Sequence, residues 1–281
     1  NYASSTDNVA RGGAIYNYDG KISILAGDRD VMFSGNRGSA PNPTNAQGGA
    51  IYNNNSRCIV NLYAAEGHSI TFAGDAGDSN TDSIYNKGTL NINGTANSKT
   101  YTGTVNLVKV EGNGTMNING GTVEAKGNVT QDTVNLAADA SLNVTGTLSM
   151  NNGHFIVEID MANSSVNCVT LGELVLNGNL TISVCDTDVV ADKGSVTLDN
   201  IPVLTVNNGS LQEVNDKISS ANVIVSNVLL YGSLCQFYES RKNVLTIWQY
   251  SFLIASLNSH DSSLSGSATF SKEFINLQKS S

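Results

Sequence analysis

The chain has 281 residues, 40% of them apolar and only 14% charged, with a formal net charge of −9. Its acids are scattered and its Lys and Arg do not cluster, which excludes the basic footprint that nucleic-acid binding needs. No run reaches the roughly 18–20 apolar residues of a membrane-spanning helix, and the opening Asn1–Thr6 has neither the basic start nor the apolar core of a secretory leader, so the chain is expected to be an internal piece of something longer, with export to be argued from other features.

With few charges, Asn, Ser, Thr and Gly must supply the polar surface. That mix suits short strands joined by tight turns, because Gly and Asn tolerate positive φ while Thr, Val and Ile suit a pleated surface.

The string Gly-Gly-Ala-Ile-Tyr-Asn stands at Gly12–Asn17 and again at Gly48–Asn53, and a shorter copy follows at Ser83–Asn86. Behind each full copy comes an alternating run, Lys21–Leu25 or Cys58–Leu62, and then Val31–Asn36 or Ile70–Asp75. Self-similarity at a fixed period predicts a solenoid, here an all-β, right-handed parallel β-helix. The 36-residue separation of the copies reads as two coils of three short strands each. Gly12, Gly13, Gly48 and Gly49 permit a corner without a Cβ clash. Beyond the corner, Ala14 and Tyr16 face one way, and Ile15 and Asn17 the other. Ile15, Ile51 and Ile84 are therefore expected to stack along the axis. Asn17, Asn53 and Asn86 read either as an amide ladder that satisfies turn backbone groups or as separate surface asparagines.

Pro41 and Pro43 make 39–44 a loop. From Gly88 a second repeat begins: 88–94, 114–120 and 140–146 share a period-2 pattern at 26-residue spacing. It predicts two apolar columns, Leu90/Met116/Leu142 and Ile92/Ile118/Val144. Asn-Gly turns also suit hairpins, but hairpins do not by themselves demand the same residue at the same offset. Beyond His154 the strand-like runs lengthen and the repeat fades, and from Ser256 the chain is Ser-rich. The expected divisions are 1–87 and 88–152 for the two repeat types, 153–255 for a closing region, and 256–281 for a tail or cap.

Cys58, Cys168, Cys185 and Cys235 have no metal-ligand spacing with His68, His154 or His260. Cys168 and Cys185 lie about one coil apart and read either as a disulfide or as buried free thiols.

Gly12–Asn17 followed by Phe33-Ser34-Gly35-Asn36 resembles the paired GGA(I/L/V) and FxxN repeats of polymorphic outer-membrane protein and adhesin-like autotransporter passengers. In the second copy Phe72 is kept and Asp75 replaces the asparagine; the third lacks Gly-Gly-Ala, so the motifs cover about the first 86 residues. More loosely, 153–206 resembles the end of pertactin-like passengers at Glu158-Ile159-Asp160 and Leu176–Leu180, and departs from them at Ser165-Val166-Asn167. The resemblance implies display on a bacterial outer membrane through a β-barrel that this stretch does not contain. It also implies adhesion to a host or neighbouring-cell surface protein or glycan, and no cofactor.

Parallel β-helices also house polysaccharide-degrading enzymes. Asn80-Thr81-Asp82 resembles a string of polygalacturonase-like hydrolases, whose chemistry needs paired carboxylates, but the companion Asp-Asp, Gly-His-Gly and Arg-Ile-Lys strings are missing. Asp82 is therefore read as a solvated turn residue, and the chain as not an enzyme. Asp28, Asp30, Asp75, Asp78 and Asp82 could gather around calcium, yet the GGxGxD nonapeptide is absent. No G-x-S-x-G elbow or phosphate-binding glycine loop occurs. Adhesion leads. An acidic groove would favour an enzyme, and a flat polar surface without aromatics an inert spacer. Partner contacts are expected on the loops 41–45 and 74–82, with the hexapeptide as scaffold.

Overall fold

The computed structural model describes residues 1–6, 9–42, 45–74, 81–150, 154–160, 165–166, 169–177, 179–185, 197–198, 201–208, 223–226, 235–239, 244–251 and 268–269. The chain is all-β, with most strands in parallel sheets and no α-helix among the described residues. None of it is a helix long and apolar enough to cross a membrane.

Three parallel ladders organise the strands, and each level of the stack gives one strand to each ladder. The corner ladder joins Ile15–Asn17, Ile51–Asn53, Ile84–Asn86, Val110–Glu111 and Val129–Gln131. A central ladder joins Lys21–Ala26, Ile59–Ala64, Thr89–Ile92, Thr115–Ile118, Thr133–Leu136, His154–Asp160 and Asn179–Cys185. The third joins Val31–Phe33, Ser69–Phe72, Thr104–Leu107 and Gly121–Ala125. The corner and third ladders then fuse in the eleven-residue strand Ala140–Met150. Its first half pairs with Gly121–Ala125 and its second with Val129–Gln131. Val169–Leu176 follows it on the next level, with an irregularity between Val144 and Thr147.

Ile15 pairs directly with Ile51, so the 36-residue period is one level and not two coils. Extra strands swell the early levels: Tyr2–Ser4 pairs with Arg37–Ser39, and Ala10–Arg11 with Ala46–Gln47. Another insertion is the hairpin Gly94–Ala96/Lys99–Tyr101. Its two turn residues, Asn97 and Ser98, both have positive φ (51° and 61°), as a two-residue turn matching the strand twist requires. Where nothing is inserted a level closes in 18 or 19 residues, as from Met116 to Val134 and from Val110 to Val129.

The 26-residue columns hold over one step only. Leu90 pairs with Met116 and Ile92 with Ile118, but Met116 then meets Val134 and Ile118 meets Leu136. Leu142 and Val144 stand in the third ladder instead, beside Val123 and Ala125. Thr133-Val134-Asn135-Leu136 carries the same alternation and arrives after a minimal level, so it takes the central place first.

Alternation sends every second side chain into the core. Ile51, Ile84, Val110, Val129, Leu148 and Leu174 form one buried column; Val60, Leu90, Met116, Val134 and Phe155 form another; Ile70, Val105, Val123, Leu142 and Val169 form the third. Each such side chain stabilises the fold by about 1.5–3 kcal/mol relative to exposure. On the first level Ile15, Ile24, Val31 and Phe33 are only partly buried against this core, since their ladders are paired on one side alone.

Two files of side-chain amides run along the stack. In the buried file Asn17 Nδ2 donates to Asn53 Oδ1 (2.8 Å), Asn53 Nδ2 to Asn86 Oδ1 (2.8 Å) and Asn86 Nδ2 to Gln131 Oε1 (2.6 Å). The same asparagines satisfy corner backbone groups, Asn17 bonding Gly20 O and Asn53 bonding Cys58 O. On the opposite face of the central ladder, Asn135 donates to Asn117, Asn117 to Asn91, Asn91 to Asn61 and Asn61 to Ser23.

At the far end the pairing turns antiparallel: Ile201–Val206 meets Val244–Ser251, and Val223–Ser226 meets Ala268–Thr269. Of the tail 256–281, only Ala268–Thr269 is among the described residues.

Candidate functional site

The three Ile-Tyr-Asn corner strands are three residues long, so two side chains point in and one points out. Ile15 and Asn17 face the core, and Tyr16 faces away from it with Tyr52 and Tyr85 beside it in register. The glycines before them fix this direction. Gly12 and Gly48 both sit at φ +64°, and a Cβ on either would overlap the carbonyl of Ile15 or Ile51. Gly13 has the Gly49 carbonyl against it and has no room for a Cβ either.

The outward tyrosines form an aromatic column. Tyr52 and Tyr85 stack at 5.2 Å with planes 5° apart, Tyr16 leans on Tyr52 at 5.4 Å, and Tyr18 meets Tyr16 edge-on at 6.2 Å. Tyr16 and Tyr18 are 44% and 68% exposed, whereas Tyr52 is fully buried. Two cations lie over the rings: the Arg11 guanidinium is 5.1 Å from the Tyr52 centroid and the Lys87 ammonium 5.8 Å from that of Tyr85. Desolvation raises the Tyr52 phenol above its ordinary range, partly offset by Arg11. Its hydroxyl is buried with no hydrogen-bond partner among the described residues. Among the described residues, the carboxylates beside the column are engaged elsewhere. Arg57 lies 3.5 Å from Asp19, and Lys109 lies 2.7 Å from Glu111, the residue next to Tyr85 on the following level. Asn55 donates to the Tyr18 carbonyl and accepts from Arg57 N–H.

No protein-family model, curated protein or solved structure matches this chain.

The remaining motif residues serve the stack. Phe33 lies flat on Phe72 at 4.6 Å, and Asn36 is bound to Asp82. Asp82 is not a solvated turn residue: it is 1% exposed, at φ +51°, and accepts from Gly35 N–H, Asn36 N–H and Asn36 Nδ2 at 2.7–2.9 Å. Three donors replace the water that a buried carboxylate loses. Asp30 accepts from Ser69 N–H and lies 3.5 Å from His68. Among the described residues no three His, Cys, Asp or Glu side chains gather as a metal site would need. Of the acids considered for calcium, Asp75 and Asp78 lie outside the described residues, as do Asn80 and most of the 74–82 loop. Pro43 and Thr44 of the other loop are also outside, and Asn45 N–H bonds Asn42 O across it. Cys168 lies outside as well, while the backbone of Cys185 pairs with Asp160. Cys58 is a buried free thiol directed at the carbonyls of Asn17 and Tyr18.

Sequence reasoning placed partner contacts on the loops and missed the tyrosine column. The signal was present in the fifth letter of the hexapeptide, an aromatic kept at the one outward position of the strand.

Proposed function

We propose that this chain is a right-handed parallel β-helix, the passenger part of an autotransporter-like protein displayed on a bacterial outer membrane, and that it binds a host or neighbouring-cell surface protein or glycan. In-register parallel ladders, closing a level in as few as 18 residues without helices among the described residues, support the architecture. One observation carries the function: the exposed pair Tyr16 and Tyr18 at the head of a tyrosine column. An inert spacer has no use for large rings held in water, whereas a binding face gains from rigid amphipathic side chains that lose little entropy on contact. Binding belongs to the corner face and the scaffold to the core.

The test is an array of glycans and extracellular-matrix proteins probed with the chain and with a Tyr16→Ala/Tyr18→Ala variant of unchanged circular dichroism. Ligands retained by the chain and lost by the variant support the reading. A silent array rejects adhesion for this chain.

A further inference from the structure

We infer that the tyrosine column and its two cations form a binding site for a carboxylated sugar. The inference rests on the adhesion reading and names the ligand class for the same face.

Three independent observations converge. Tyr16 and Tyr18 offer exposed rings against which the C–H face of a sugar ring can pack. In a chain of net charge −9, Arg11 and Lys87 stand on this column with no carboxylate within ion-pair distance among the described residues, the neighbouring Asp19 and Glu111 being held by Arg57 and Lys109. The face is thus locally cationic on an acidic protein, which selects an anion. On the ring that Arg11 covers, the Tyr52 hydroxyl is fully buried and unsatisfied. Such a group is costly in a folded protein and calls for a partner. It stays protonated, since desolvation raises its pKa, and so it is a donor in search of an acceptor.

A carboxylate meets all three. It matches the planar fork of a guanidinium, and a bidentate pair is stronger than the cation–ring contact it replaces. The exposed Arg11 side chain moves from the ring to the carboxylate, which opens the Tyr52 hydroxyl to a ligand oxygen, while Lys87 contributes charge from the next level. Tyr16 and Tyr18 hold the sugar ring. No covalent step is involved.

The probe is trigalacturonate, compared by titration calorimetry with its methyl ester, which keeps the sugar skeleton and removes the charge. Trigalacturonate should bind at least ~10-fold more tightly than the ester, the scale of a hydrogen-bonded charge. Arg11→Gln and Tyr52→Phe should each weaken it by about 5–10-fold. Tyr52→Phe removes only the orphan hydroxyl and should keep the thermal midpoint at neutral pH, so its loss of binding cannot be ascribed to unfolding. Equal affinity for the ester, or binding untouched by both variants, overturns the carboxylate site and leaves adhesion standing. Binding of a polyglutamate peptide without trigalacturonate also overturns it, in favour of an acidic protein partner. If none of these probes binds and the array is silent, both inferences fall together.

Discussion

Asn86 reaches across a whole level of the corner ladder to Gln131, donating from Nδ2 to Oε1 at 2.6 Å. The strand between them, Val110–Glu111, is followed by Gly112 at φ +118°, packed against the Asn86 backbone, and by Gly114, where a Cβ would overlap the Asn86 side-chain amide nitrogen. A Cβ on Gly112 would overlap the Asn86 carbonyl oxygen. Gln131, a methylene longer than asparagine and fully buried, closes the gap.

Gly112→Ala should therefore fail twice, through backbone strain and through steric overlap. A loss of at least about 2 kcal/mol is expected in denaturant titration. Gln131→Leu removes the acceptor from a buried amide and should cost about 1–3 kcal/mol.

Ile51 is fully buried between Ile15 and Ile84. Ile51→Asp places an unpaired carboxylate in the column, and several kcal/mol should be lost. Hydrogen exchange should show the first levels opening; full retention of thermal stability would mean that this column does not hold them.

Asp82 ties Gly35 and Asn36 to the third level. Asp82→Ala strands three donors, one of them a side-chain amide, and should destabilise by roughly 2–4 kcal/mol. Limited proteolysis should then cut near Gly35 faster than in the parent chain.

The Asp30 carboxyl is held below its ordinary 3.8, chiefly by the Ser69 N–H, against an opposing desolvation that His68 helps to outweigh. A depressed folded pKa stabilises above the ordinary value, and that contribution is lost as pH falls through the lowered one. Thermal midpoints measured below pH 3.8 should decline less steeply in Asp30→Asn than in the parent. The group is exposed, so the difference should be small and should shrink with salt.

The Tyr52 phenol has the opposite sign. Its raised pKa means that the folded chain keeps a proton which the unfolded chain releases, so stability is fully present below pH 10.0 and falls as pH rises through the folded value. Tyr52→Phe should flatten the alkaline limb of the stability profile.

The repeats made the corner legible. Copies of one string imply one register, and Ile15, Ile51 and Ile84 stand side by side, with Asn17, Asn53 and Asn86 bonded in file. Level length was not legible, because the strands at 37–39 and 46–47 carry little apolar pattern and hide inside what reads as spacing. Ladder assignment was not legible either. Thr104-Val105-Asn106-Leu107 and Thr133-Val134-Asn135-Leu136 are the same string, yet one lies in the third ladder and the other in the central ladder. A period of two says which side chain faces inward; only the length of chain between strands decides which neighbour it meets. The Asp82 clip pairs residues 46 apart in sequence through single side chains, which no periodicity announces. The tyrosine column repeats with the hexapeptide, but its exposure depends on what covers each level, and that is a tertiary property.

The two amide files point opposite ways. In the corner file Asn17, Asn53 and Asn86 each donate toward the carboxyl-terminal levels, whereas in the central-ladder file Asn135, Asn117, Asn91 and Asn61 each donate toward the amino-terminal ones. Within a file the dipoles align and polarise one another. Between files they oppose, so the levels are tied by two hydrogen-bond chains of opposite sense, and lengthening both adds cohesion without adding their dipoles in one direction.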